Sequence, residues 1–114
     1  MKVRFISLAS GSSGNCYYLG TDTYGILIDA GIGIRTIKKT LKDFNILMES
    51  IRAVFVTHDH ADHIKTVGYL GEKLCIPVYA TADVHRGIDK SRYGGGDLMC
   101  LPQGYRKRSS IPYP

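Results

Sequence analysis

Residues 57–63 read THDHADH, so positions 58 to 63 hold His58, Asp59, His60, Asp62 and His63 with Ala61 the exception. Three of the chain's four histidines fall within this stretch. Residues two apart on an extended segment project to the same side, so His58 and His60 can present two imidazoles to one ion. Asp62 and His63 are adjacent and share a direction only once the chain turns into a helix. The spacing therefore predicts two donor pairs facing two neighbouring divalent metals. Nitrogen and carboxylate donors suit zinc, with iron or manganese as alternatives at the second position. Two ions about 3.5–4 Å apart hold a bridging hydroxide near neutral pH and clamp an oxyanion, which is machinery for hydrolysis. Asp62 is the candidate catalytic residue, orienting the nucleophile or taking its proton. The bland alternative is a polar surface loop in which Asp59 or Asp62 caps a helix. Capping leaves three histidines in six positions after a buried strand without a reason. Asp59 receives no ligand role, and His85 reads as an ordinary helix residue.

The elements that must hold this loop are legible from periodicity. KVRFISL (2–8), CYYLGT (16–21) and GILIDAG (25–31) are β-prone runs separated by SGSSGN (10–15) and TDTYG, which predicts an antiparallel meander. Ile34, Ile37, Leu41 and Phe44 recur at helical spacing opposite Arg35, Lys38, Lys39 and Lys42, predicting a helix over 34–45 with a solvated basic face. IRAVFVT (51–57) is the strongest strand and is expected to be buried on both faces. Ile64, Val67, Leu70 and Leu74 mark a helix over 62–74, IPVYAT (76–81) another strand, and TADVHRGID the start of a short helix. Strand, loop, helix, strand is a βαβ unit, which places chemistry on the loop after the strand's carboxyl end. The fold class is α/β (α+β), a mixed sheet with flanking helices. Gly11 and Gly14 would let backbone amides approach an anion, against the alternative of a plain hairpin turn.

A chain of 114 residues with 44% hydrophobic content suits one domain with one core. No apolar run approaches the roughly 20 residues of a membrane span, and the opening lacks a signal-peptide core. The expectation is a cytoplasmic protein without a membrane partner. Cys16, Cys75 and Cys100 are odd in number and form no CxxC, so neither a disulfide framework nor a zinc ribbon is expected. Residues 1–100 carry 12 Lys/Arg against 10 Asp/Glu, and Arg106, Lys107 and Arg108 supply the rest of the +5. The body is thus nearly balanced, and overall charge says little about a nucleic-acid partner.

THDHADH after a buried strand resembles the HxHxDH signature of the metallo-β-lactamase superfamily, and the meander and LIDAG strand resemble the N-terminal half of that fold, over about residues 1–90. SLASGSSGNCYYL is similar to the opening of the WalJ/YycJ-like branch, whose members are regarded as metal-dependent phosphodiesterases or exonucleases acting on nucleic acid. The resemblance implies that His58 and His60 bind a first ion and Asp62 and His63 a second, with zinc expected and manganese or iron as alternatives. It implies that Ser12, Ser13 and Asn15 lie beside the metals as substrate-binding residues, and that nucleic acid is the substrate. Asp29 is expected to make structural hydrogen bonds near the metal loop. The family fold is an αββα sandwich of two halves, whose second half supplies a further histidine, a bridging aspartate and a last histidine. Nothing after His63 matches them. The expectation is therefore the N-terminal half of such a domain over 1–90 and a divergent, irregular tail over 91–114. As a truncated chain it would be inactive alone and would expose apolar sheet surface open to self-association. The competing reading is a non-catalytic metal-binding remnant, or a half-domain needing a partner. A thioester or lactam hydrolase is the third, and the SGSSGN opening argues against it.

Overall fold

Side chains in RFISLA, CYYLG and GILIDA alternate between two environments, and each run forms a strand: β1 (Arg4–Ala9), β2 (Cys16–Gly20) and β3 (Gly25–Ala30). The computed structural model describes residues 2–90 and 107–109. The first three strands pair antiparallel as a meander. The chain then crosses through α1 (Ile34–Asp43) and a 3₁₀ turn at Met48–Ser50 to β4 (Ile51–Phe55), which runs parallel to β3. Two short helices, α2 (Ala61–Ile64) and α3 (Val67–Glu72), lead to β5 (Val78–Ala80), parallel to β4. Helix α4 (Ala82–Lys90) follows, and β6 (Lys107–Ser109) adds in parallel to the free edge of β5. The sheet order is β1 to β6 in sequence, a mixed sheet with flanking helices as the α/β reading requires.

The core lies between the helices and one face of the sheet. Ile37 and Leu41 of α1, Ile64 of α2, Leu70 of α3 and Ile88 of α4 are at most 1% exposed and pack with Cys16, Tyr18, Leu27, Val54 and Val78. Each such side chain contributes roughly 1.5–3 kcal/mol by leaving water. The strand residues between them point the other way. Tyr17, Leu19, Ile26, Ile28, Phe55 and Tyr79 are half-buried, and Phe5 is 61% exposed. On this second face Phe5 stacks on Tyr17 and Phe55 on Tyr79, with centroids 5.8 and 4.9 Å apart.

Three departures from the sequence reading have physical causes. The helix expected over 62–74 breaks between α2 and α3. Thr66 turns its N–H to Ala30 O (2.8 Å) and its hydroxyl to Ile32 O, both outside the helix. The short helix expected near 82 runs nine residues, and the Thr81 hydroxyl accepts from Val84 N at 3.3 Å as an N-cap does. The tail expected to be irregular forms a strand at 107–109, because the open edge of β5 is a template for pairing. The remainder of that tail expectation, at 91–106 and 110–114, lies outside the described residues.

Candidate metal centre

The site begins with a bulge. Tyr17 pairs with Ile28 and Cys16 with Ala30, which leaves Asp29 as an extra residue in β3. Its φ of 62° is left-handed, a conformation Asp tolerates better than most residues. Bulges re-aim side chains next to functional sites. Here the bulge aims a carboxylate, 3% exposed, at the segment leaving β4. Asp29 Oδ1 accepts from Thr57 N at 2.8 Å, and Oδ2 accepts from Thr57 Oγ1 and from His63 Nδ1, each at 2.7 Å.

Those bonds fix two imidazole tautomers. A carboxylate only accepts, so His63 carries a hydrogen on Nδ1, and in the neutral ring the Nε2 lone pair is the one turned toward the site. The Thr57 hydroxyl has one hydrogen, which goes to Asp29. His58 Nδ1, 2.9 Å from Thr57 Oγ1, must therefore donate, and in the neutral ring its Nε2 likewise holds the free lone pair. One buried aspartate thus prepares two histidines as donors, the arrangement found behind most metal-ligating imidazoles.

The remaining groups close in from two sides. The ring centroids of His58, His60 and His63 lie 4.8 to 6.4 Å apart. His60 is the N-cap of α2 and its side chain is 71% exposed, whereas that of His63 is 17% exposed. Asp62 Oδ2 sits 3.7 Å from His63 Nε2. Asn15 Nδ2 donates to Asp62 Oδ2 at 3.1 Å, and Asn15 N to Asp62 O at 2.7 Å, which ties the first hairpin to the loop. The same side chain exchanges bonds with Gly11 N and O, so its polar capacity is largely used within the chain. Ser12 and Ser13 are exposed on that turn. A Cβ on Gly31 would collide with the Asp62 carbonyl, and one on Gly87 with the Asp59 carboxylate. Asp59 therefore packs against α4, and its Oδ1 lies 4.0 Å from His60 Nε2. His85 is buried on α4.

Among the described residues, no three His, Cys, Asp or Glu side chains are placed to hold one ion. The donor chemistry fits divalent metal in pairs: bare imidazole nitrogens oriented from behind, and a carboxylate beside one of them. Two donors are half of a tetrahedral shell. Asp29 lies near the loop, as the sequence reading expected. That reading missed Thr57 as the link between Asp29 and His58, although a hydroxyl directly before the first histidine was the available signal. Cys16 packs beside this carboxylate. Burial, and then the charge of Asp29, push its thiol up to about 12, so it is a protonated core residue.

A family model described as the metallo-beta-lactamase superfamily matches residues 9–97. Exodeoxyribonuclease WalJ of Streptococcus pneumoniae is 38% identical over 92 residues, covering 81% of this chain and 34% of that protein. Exodeoxyribonuclease YycJ of Bacillus anthracis is 41% identical over 80 residues, covering 70% and 30%. The chain thus spans about a third of the length of these relatives. The crystal structure of the BLEG-1 B3 metallo-beta-lactamase superposes with a TM-score of 0.63 at 23% identity, over 96% of this chain and 52% of that one. Identity at that level is a likeness of fold.

Proposed function

The chain belongs to the metallo-beta-lactamase superfamily, and from that premise we propose that it carries the metal-binding loop of a hydrolase acting on phosphodiester bonds of nucleic acid. In this reading His58 and His60 hold one divalent ion and Asp62 with His63 a second, zinc first and manganese or iron as alternatives. When bound, such ions supply a water deprotonated near neutral pH and positive charge beside the phosphoryl oxygens. The chain's own residues do the rest. Asp29 keeps His63, and through Thr57 also His58, in the tautomer that faces the ions. Asn15 turns Asp62 toward the site, and Asp62 takes the proton of the attacking water. Ser12 and Ser13 meet the substrate phosphate. A new P–O bond forms as the bond to the leaving oxygen breaks.

The observation that carries the metal reading is the Asp29 carboxylate bonded at once to Thr57 and His63. Likeness to two exodeoxyribonucleases supports nucleic acid as the substrate class. The lack of a three-donor group among the described residues favours a narrower version, a half-site that needs donors from elsewhere. Such a site holds metal weakly, because binding must offset ordering its ligands.

The test is a chimera. This chain replaces the matching 92 residues of the pneumococcal exodeoxyribonuclease, and cleavage of a labelled oligonucleotide is followed with manganese or zinc. Cleavage is expected, and His58→Ala/His60→Ala should abolish it. A folded, metal-loaded chimera that leaves DNA intact would overturn the substrate assignment. The 114-residue chain alone should not cleave above its own double-alanine control. Robust turnover there would contradict the half-site version.

A further inference from the structure

The outer surface carries a charged seam that the metal loop does not use. Helix α1 approaches α3 where Lys38 faces Tyr69. At the end near the site, Thr66, which precedes α3, bonds to Ala30 of β3 and to Ile32 ahead of α1. In the middle, Lys38 Nζ lies 5.9 Å from the centre of the Tyr69 ring. At the far end, Lys42, Leu74 and Ile76 line one groove. Lys38 and Lys42 line the groove; exposed Arg35 falls on the same flank of α1 by helical spacing, exposed Lys73 stands one turn beyond Tyr69, and exposed Lys65 precedes α3. Lys65 stands two residues from His63. Opposing charge is sparse. Asp43 is paired with Lys39 at 3.5 Å, and Glu49 stands at the far end of the groove. Tyr69, 39% exposed, presents an aromatic ring between the two rows.

We propose that this seam is a track for the single-stranded phosphodiester backbone of the substrate, leading away from the metal loop. The proposal rests on the hydrolase reading above and adds the surface that holds the rest of the strand. Cations that follow a groove, with an aromatic ring for a base to stack on, are what sequence-tolerant single-strand binding needs. Ten residues of α1 extend about 15 Å, enough for several phosphates.

The test reads binding rather than hydrolysis. The 114-residue chain is titrated into a fluorescein-labelled single-stranded oligonucleotide in EDTA, across a salt series, by anisotropy. Lys38→Gln/Lys42→Gln/Lys73→Gln should weaken binding about tenfold or more, and the salt slope should become shallower by about 0.7 for each phosphate that is no longer neutralised. The corresponding triple Lys→Arg variant should bind like the parent. Tyr69→Leu should weaken single-strand binding about fivefold or more and leave duplex binding alone. Unchanged affinity and slope in the glutamine variant would overturn the track. So would competition by polyglutamate equal to that by DNA of the same charge, which would point to an acidic protein instead. EDTA removes metal chemistry, so failure of the track leaves the chimera's result standing, and failure of the chimera leaves this one standing.

Discussion

His58, His60, Asp62 and His63 were legible because their pattern is local: spacing alone brings them near one another. What orients them was legible only in part: Asp29 was expected beside the loop, but its bonds to Thr57, 28 positions downstream, depend on a bulge that no local pattern announces. Asp29→Asn keeps a side chain that tolerates φ of 62° but replaces a carboxylate oxygen with a donor amide. Zinc affinity should fall about 10–100-fold while the fold persists, as read by calorimetric titration alongside circular dichroism. Unchanged affinity would remove Asp29 from the site. Cys16 offers a second check. Its thiol is raised from 9.0 to about 12, so above about pH 9 the unfolded chain loses this proton while the folded chain keeps it. The folded state then binds more protons, and stability must decline as pH climbs from about 9 toward about 12. Below about pH 9 this group adds no pH dependence. Urea midpoints of the parent should drop across that window more than those of Cys16→Ala, whose side chain cannot titrate. Exposed Cys75 should react with iodoacetamide in the native state, whereas Cys16 stays unmodified until unfolding.

At the scale of elements, strands and α1 were legible because their periods of two and 3.6 are strong. Their ends were not. The spacing of Ile64, Val67, Leu70 and Leu74 runs on through the break at Thr66, since the bonds to Ala30 and Ile32 that cause it are tertiary. That break lets α2 stand separately and carry Asp62 and His63 against β3. The approach is so close that only glycine fits at position 31. Gly31→Ala sets a methyl group against the Asp62 backbone, which cannot swing aside. It should cost about 1–3 kcal/mol, seen as a lower urea midpoint at unchanged slope, and should weaken zinc binding. Gly33→Ala is the control, because a Cβ there meets nothing within 4 Å. Equal effects of the two would refute the steric account of this joint.

At the scale of the whole molecule, an exposed apolar sheet face was expected from the resemblance to half of a sandwich, whereas IRAVFVT, read as buried on both faces, is buried on one: Arg52 is exposed, and Tyr17, Leu19, Ile26, Ile28, Phe55 and Tyr79 are half-buried between core residues. Apolar patches of this kind drive association. Sedimentation velocity should show the chain associating as concentration rises, and Phe55→Lys should return it to monomer. A monomer at every concentration would mean the face is satisfied otherwise. The question of what the assembled site holds has a direct measurement, a zinc titration of the chain followed by long-range ¹H–¹⁵N NMR of the histidine rings. Before zinc, His58 and His63 should show hydrogen on Nδ1. With zinc, Nε2 of His58, His60 and His63 should shift together while His85 stays in place. Rings of residues 58–63 that ignore millimolar zinc, or that carry their hydrogen on Nε2, would contradict a metal centre built on this loop.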